Sequence, residues 1–349
     1  MTWQYFPGRL AAAALLACAG GCANFGYYLQ SIGGQMDVVE ARQPIEDAIS
    51  SPLTSPELKR QLELALQIRN FASRELAEPD NASFRSYADL KRPYALWNVF
   101  ATSEFSLEPH AWCFLFAGCV DYRGYFSHDE AASFADRLRS ERYDVYVAGV
   151  PTYSTLGWFD DPLLNTFISY PGPELARIIF HELAHQIVYV KDDTMFNESF
   201  AVAVELEGVK RWLAQRDDPA LNAEFEKSQQ RRAQFQALIA DYRNQLDVLY
   251  RQRIAPEAMR ARKAELFMAM RQEYEKLKTE WGGFAGYDAF FSGLNNAHLA
   301  AVALYTEDVP QFQKLIEKHR SDLAAFYAEV KEIAKLSKDE RNKMLRAER

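Results

Sequence analysis

The sequence predicts an α+β protein that is predominantly α-helical, and three of its segments lead to this prediction. Residues 205–278 are almost free of glycine and proline and are dense in Gln, Arg, Glu, Lys and Leu, which favours long helices. Residues 84–120 mix aromatic and β-branched residues without a clean period, which indicates strands and loops. Helical patterns resume from about 296 to 343. We therefore expect small β-structure within a mainly helical body.

Composition and charge exclude several classes of protein. The 349 residues allow one large or two modest domains with a sizeable core. With 48% hydrophobic and 25% charged residues, the chain is not disordered as a whole. A net charge of −8 offers no basic domain, so we expect no nucleic-acid partner.

The N-terminus has the pattern of an export signal. Arg9 precedes a short apolar run that cannot span a membrane but fits a secretory signal peptide over residues 1–21. The run ends in small residues and cysteine, like a bacterial lipobox, with Cys22 as the favoured lipidation site and Cys18 as the alternative. An uncleaved anchor or a plain secretion signal stays open. We expect an exported lipoprotein, lipid-anchored in the bacterial envelope at the outer membrane and facing the periplasm.

Export to an oxidising compartment bears on the state of the two remaining cysteines. Cys113 and Cys119 close a small loop, and an oxidising compartment favours a disulfide between them. The alternative is two buried thiols.

Local patterns predict the elements of the first half in order. A Ser-Pro start and helical spacing of leucines predict a helix over 55–79. A capping box opens a helix over 127–140. The segment 144–149 is typical of a short strand, 150–165 of an ordered loop, and another helix is predicted to start near 173.

The same patterns divide the mature chain into three regions. A catalytic region is predicted over 22–204, and a helical arm follows over 205–281, with a break at 254–257 that indicates a hairpin. The C-terminal helices over 282–349 are expected to pack on the catalytic body.

One segment of the predicted helix after residue 173 has the spacing of a zinc site. His181 and His185 lie four residues apart, so on a helix they are offset by about 40° and about 6 Å along the axis. Two imidazoles at this spacing can bind one Zn²⁺, and Glu182 between them is placed as general base for a zinc-activated water. The alternative is two core histidines on an apolar helix.

A second acidic segment completes the predicted ligand set. A catalytic zinc bound by two histidines needs a third protein ligand and keeps its fourth position open, and Glu198 is the candidate. Glu205, seven residues later, would share its helix face and could orient a histidine. Its alternative is a surface glutamate.

These two segments resemble the gluzincin metallopeptidases, especially zinc aminopeptidases of the alanyl-aminopeptidase type. Those enzymes place eighteen residues between the second histidine and the glutamate, whereas this chain has twelve, residues 186–197. The chain is more closely similar to a bacterial family of predicted zinc aminopeptidases that includes lipoproteins. That likeness runs through Gly26–Gln30, Cys113–Phe126, Gly149–Pro162, the helix predicted to carry His181–His185, and Asn295–Ala297. The resemblance implies a gluzincin-like zinc peptidase body, with the long helical arm inserted, and a peptide substrate.

Gluzincins also use a tyrosine or histidine to stabilise the oxyanion. Tyr153 and Tyr305 are the candidates here, with Tyr122 and Tyr125 behind them.

The resemblance also suggests substrate-binding residues. The segment that begins at Gly149 is a possible counterpart of the edge strand that pairs with the substrate backbone in similar aminopeptidases. Asp160 and Asp161 could bind a free α-ammonium group, or could instead build a turn. Asn295 is a further candidate, and His298 lies close to it in the sequence.

Together these residues predict a zinc-dependent metallopeptidase, and the resemblance implies more narrowly an aminopeptidase. An envelope endopeptidase is the alternative within enzymes. A non-catalytic lipoprotein that binds a protein partner through its helical arm is the alternative outside them.

Overall fold

The computed structural model describes residue 27 and residues 30–114, 118–155 and 157–347. The predicted signal peptide, with Cys18 and Cys22, lies outside these residues. The described chain is mainly helical with three small sheets, which confirms the predicted α+β, predominantly α-helical class. None of its described helices combines the length and the apolar character needed to cross a membrane.

The first half alternates helices with short strands. Its elements are α1 (30–40), β1 (Arg42–Pro44), α2 (Ile45–Ser50), α3 (Pro56–Glu75), β2 (Ser86–Ala88), β3 (Leu96–Ser103), β4 (Trp112–Phe114), β5 (Gly118–Val120), β6 (Arg123–Tyr125), α4 (His128–Ser140), β7 (Tyr143–Val150) and β8 (Leu163–Leu164). The side chains of Ser55 and Ser127 cap α3 and α4, as the sequence predicts.

All the described regular elements of the second half are helices. Its elements are α5 (Gly172–Ala184), α6 (Thr194–Arg216), α7 (Pro219–Tyr250), α8 (Pro256–Glu280), α9 (Asp288–Phe291), α10 (Asn296–Leu304), α11 (Val309–Lys318), α12 (Leu323–Ala334) and α13 (Lys338–Ala347). Helices α7 and α8 form a hairpin beside the predicted break at 254–257. The boundary predicted at 204/205 falls inside α6, which ends only where Asp217 takes a left-handed conformation.

One three-stranded antiparallel sheet has the order β6-β3-β7, so β7 is at its edge. Helix α4 packs on one face of this sheet through Phe134 and Leu138. Alternate residues of β7, such as Tyr146 and Ala148, point to the other face, where α10 packs and a cavity opens.

The packing of α5 against α6 depends on a glycine. A Cβ atom at Gly208 would lie 2.7 Å from the ring of Phe180 and 2.7 Å from a methyl group of Leu76. Because glycine has no side chain, α6 can approach α5 closely at this point. The two helices that carry the predicted zinc ligands therefore form part of the largest buried core.

Strands β4 and β5 pair so that Cys113 lies opposite Cys119, and a disulfide joins the two. The backbone N–H of Cys119 donates to the side chain of Asp192, which lies in the connection between α5 and α6. The disulfide hairpin is therefore attached to the segment that leads from one predicted metal-binding helix to the next.

Candidate metal centre

Three side chains from α5 and α6 meet at one point. His181 lies in the last turn of α5, His185 caps that helix, and Glu198 lies in the first turns of α6. The two histidine Nε2 atoms are 3.1 Å apart. Oε2 of Glu198 lies 3.2 Å from Nε2 of His181 and 3.6 Å from Nε2 of His185.

These separations fit a tetrahedral metal ion. Zinc bonds to histidine and carboxylate of 2.0–2.1 Å place neighbouring ligand atoms about 3.3 Å apart in a tetrahedron. The three observed distances lie on both sides of this value, and the donor set is two imidazoles and one carboxylate. The residues His181, His185 and Glu198 could therefore hold a metal ion, and their chemistry is compatible with zinc.

The short link between α5 and α6 is fixed by the residue before Glu198. Asn197 accepts a hydrogen bond from the backbone N–H of Val190 at 2.7 Å and donates to the carbonyl of the same residue at 2.8 Å. Asp193 caps α6 and receives two charge-assisted hydrogen bonds from Arg341 of α13. These contacts set the position at which Glu198 enters the site.

Glu205 lies behind the site and orients one of the histidines. Its Oε2 atom is 2.9 Å from Nδ1 of His181, so the Nε2 atom of that ring faces the metal position. Arg177 in turn donates to both oxygens of Glu205 at 3.1 and 3.2 Å. This is the carboxylate–histidine arrangement that raises the basicity of a metal ligand and fixes its tautomer.

Replacing Glu205 with glutamine should weaken metal binding about 10- to 100-fold, the range typical of such supporting partners. The amide keeps the volume but removes the negative charge beside His181. Competition with a zinc indicator dye would measure the affinity. The matched control is Glu207→Gln on the same helix, where the carboxylate pairs with Arg211 and not with a histidine. If Glu205→Gln bound zinc as tightly as the wild type, Glu205 would not support metal binding through His181.

The electrostatics of the site favour positive charge between its carboxylates. Burial raises the pKa of Glu198, but His185 and His181 hold that pKa at about 2. Burial likewise raises the pKa of Glu205, whereas Arg177 and His181 lower it to about 2. Burial lowers the pKa of His181, but Glu198 and Glu205 together raise it to about 10.

The ligands line a cavity of about 920 Å³ that also contains three of the tyrosines proposed from sequence. Burial first, and then the charge of Glu198, raise the pKa values of Tyr122 and Tyr305, so both hydroxyls stay protonated donors. Tyr153 lies elsewhere in the wall. Its ring packs edge-on against Phe126 at 5.0 Å, and burial and then Asp161 raise its pKa to about 12.

Tyr125 and Gly149 face away from this cavity. The ring of Tyr125 packs between the sheet and α4, 5.6 Å from the ring of Phe134. A Cβ atom on Gly149 would lie 2.5 Å from the ring of Tyr94, whereas the flanking Ala148 and Val150 line the cavity. Gly149 could therefore contribute to the site only through its backbone.

The structure does not bring the proposed ammonium-binding aspartates to the cavity. Asp160 is exposed, and its carbonyl accepts a hydrogen bond from Arg42. The buried carboxylate of Asp161 accepts from the backbone N–H and the hydroxyl of Thr155 at 2.9 and 2.8 Å, which holds a loop together. Neither residue is among the described residues that line the cavity. These contacts agree with the alternative that Asp160 and Asp161 build a turn.

Asn295 is also not among the described residues that line the cavity, and its contacts are with α10 and β7. It caps α10 by accepting from the N–H of Ala297 and donates to the carbonyl of Val145 on β7. His298 stacks on Tyr146 with ring centroids 4.0 Å apart, and burial lowers its pKa to about 3. We therefore assign both residues to the packing of α10 on the sheet.

Three residues of the site were missed by the sequence analysis. Arg177 lies four residues before His181, so the helical spacing could have indicated it. Tyr189 lines the cavity shortly after the end of α5. Arg232 reaches the cavity from α7, 3.5 Å from Glu205, and no local pattern indicates this contact.

A family model described as "Putative aminopeptidase" matches residues 26–345. The chain belongs to this family. No curated protein and no solved structure gives a significant match. Membership of this aminopeptidase family supports a peptidase and a peptide substrate, and it confirms the resemblance to a bacterial aminopeptidase family.

Proposed function

We propose that the protein is a zinc-dependent aminopeptidase. The observation that carries the proposal is the convergence of His181, His185 and Glu198 at the wall of the 920 Å³ cavity. A zinc ion, when bound, supplies a Lewis acid that polarises the scissile carbonyl and lowers the pKa of water. A gluzincin-like body, with α5 and α6 as its metal-binding helices, is part of this proposal.

Glu182 is the general base of the proposed reaction. It lies between the two histidines on α5, and its side chain lines the cavity. From this position its carboxylate would take a proton from the attacking water and later return it to the leaving amine. Tyr122 and Tyr305 are the proposed donors to the oxyanion, because both line the same cavity with protonated hydroxyls.

Strand β7 is the proposed place for the substrate backbone. The carbonyl of Val150 accepts from Ala95 beside β3, whereas the carbonyl of Val145 points outward to Asn295. By alternation, the backbone groups of Val147 and Gly149 also face the open edge, where an extended peptide can add a strand. In this proposal Gly149 contributes its backbone groups to pairing with the substrate.

One observation favours an endopeptidase as the second candidate. The carboxylates among the described cavity residues are Glu182, Glu198 and Glu205, and each already has a role at the metal. An aminopeptidase gains its selectivity from an anion that binds the free α-ammonium group. The described cavity offers no further carboxylate for that purpose.

We further propose export and lipid anchoring at Cys22, with residues 1–21 as the signal peptide. The support is the N-terminal sequence pattern together with the Cys113–Cys119 pairing, which suits an oxidising compartment. A partner of the α7–α8 hairpin remains a proposal from sequence alone.

Metal content and turnover, measured on a chain that begins after Cys22, would test the function. We expect about one zinc per chain by elemental analysis and hydrolysis of peptides. A panel of matched free and N-acetylated peptides separates the two candidates. Cleavage of free peptides alone supports the aminopeptidase, and equal cleavage of blocked peptides supports the endopeptidase. Zinc with no turnover on any peptide would favour the non-catalytic lipoprotein.

A further inference from the structure

An unbroken series of aromatic rings lines the cavity from the metal site to the helical hairpin. Successive ring centroids are 5.5, 6.1, 5.9, 5.1 and 4.1 Å apart. In order, the rings are Tyr122, Phe100, Tyr146, Phe290, Phe235 and Tyr287, and we call them the aromatic strip. Its first member, Tyr122, lines the same cavity as Glu182 and Glu198.

Contacts behind the aromatic strip and within it hold its rings in place. Tyr146 is backed by the stacked ring of His298 at 4.0 Å. Tyr287 stacks on Phe235 with an angle of 2° between the ring planes. A wall of packed rings is already organised before a ligand enters, so little ordering cost is left for binding.

The charged side chains of the cavity compensate one another. Apart from the proposed metal ligands and base, the charged residues in the described wall are Glu205, Arg177 and Arg232. Arg177 donates to Glu205 and also to Glu174, at 2.8 Å. Arg232 lies 3.5 Å from Glu205 and 3.8 Å from Glu174. Two positive groups thus face two negative ones.

A charged substrate side chain would lose its hydration in this cavity without gaining a free counter-charge. Burying an unpaired charge is costly, whereas burying an apolar side chain against aromatic rings is favourable. We infer that the cavity selects peptides with a large apolar or aromatic residue beside the scissile bond and discriminates against charged residues there. The inference rests on the proposed peptidase function and names the substrate class of the same site.

Wild-type turnover gives the first test. Peptide amides that vary one of the two residues flanking the scissile bond among Phe, Leu, Ala, Glu and Lys would be compared by kcat/KM. At one of these positions we expect Phe and Leu to exceed Ala by at least about 10-fold, since a single methylene in an apolar pocket is worth about 10- to 200-fold. Glu and Lys should lie below Ala.

Ala148 allows the pocket to be narrowed beside the aromatic strip. It faces the cavity two residues after Tyr146 and pairs with Asn98 in the sheet. The change Ala148→Phe should lower the ratio of kcat/KM for Phe and Leu peptides to kcat/KM for the Ala peptide at least about 10-fold. Ala261→Phe, at an exposed position of α8, is the matched control and should leave the profile unchanged.

The outcomes separate this inference from the proposed function. No turnover on any peptide by the metal-loaded wild type overturns the peptidase function itself. Turnover with equal rates across the panel, or with Glu or Lys preferred at both positions, overturns the side-chain selectivity alone. If the melting temperature shows that Ala148→Phe does not fold, Ala148→Val repeats the test with a smaller addition. A uniform loss for all peptides by a folded variant would also contradict the aromatic strip as the selective wall.

Discussion

Replacing Glu182 with glutamine should reduce peptide hydrolysis about 10²- to 10⁴-fold and leave zinc binding intact. The amide fills the same volume on α5 but cannot take a proton from the attacking water. The proposed metal ligands are His181, His185 and Glu198, so the ion is not expected to depend on the Glu182 carboxylate. Steady-state kinetics and elemental analysis of the same preparation would measure both properties.

A matched control separates loss of the base from loss of charge. Glu75→Gln removes a carboxylate at an exposed position of α3, outside the described cavity, and should keep full activity. A Glu182→Gln variant with unchanged kcat would exclude this residue as the base. A variant that loses zinc together with activity would instead place Glu182 among the ligands.

The candidate metal site could be predicted because its geometry is local. His181 and His185 are brought together by a single turn of helix, so their spacing in sequence is enough. Glu198 required one more step, the recognition that a second helix follows closely. The contact of Glu205 with His181 then agrees with its position two turns after Glu198.

The substrate side of the cavity could not be predicted in the same way. Arg232 and Phe235 come from the segment that the sequence predicts as a helical arm, and only the packing of α7 against α10 places them in the wall. Asp160 and Asp161 stand beside the expected substrate segment in sequence, yet the carboxylate of Asp161 is used within its own loop. Such contacts depend on tertiary packing, which no period in the sequence reports.

The predicted start of the arm at residue 205 lies inside α6 and not at the end of an element. Composition changes near residue 205 because glycine, proline and apolar residues become rarer, but the helix that carries Glu198 continues to Arg216. Gly208, the one glycine in that stretch, is required for close contact with Phe180 and does not interrupt the helix. The change in composition near residue 205 therefore occurs within α6 and does not coincide with the end of a helix.

Replacing Glu198 with alanine should remove most of the zinc and all zinc-dependent stabilisation. Two histidines alone leave the ion short of a protein ligand, and no other carboxylate oxygen of the described site lies at comparable distances from both Nε2 atoms. In the wild type, zinc at about 100 times its Kd should add about 2.7 kcal/mol to the free energy of unfolding. Thermal unfolding with and without added zinc, after treatment with a chelator, would measure the difference.

The control for this variant is Glu207→Ala, because Glu207 lies on the same helix and pairs with Arg211, away from the histidines. Its melting temperature should still rise with zinc, even if its baseline stability changes. If Glu198→Ala kept one tightly bound zinc and the full thermal shift, Glu198 would not be the third ligand. Glu205 would then be the nearest carboxylate to consider, since it already contacts His181. The site would in that case need to rearrange, since the hydrogen bond from Glu205 is to Nδ1 of His181, on the other side of the ring from Nε2.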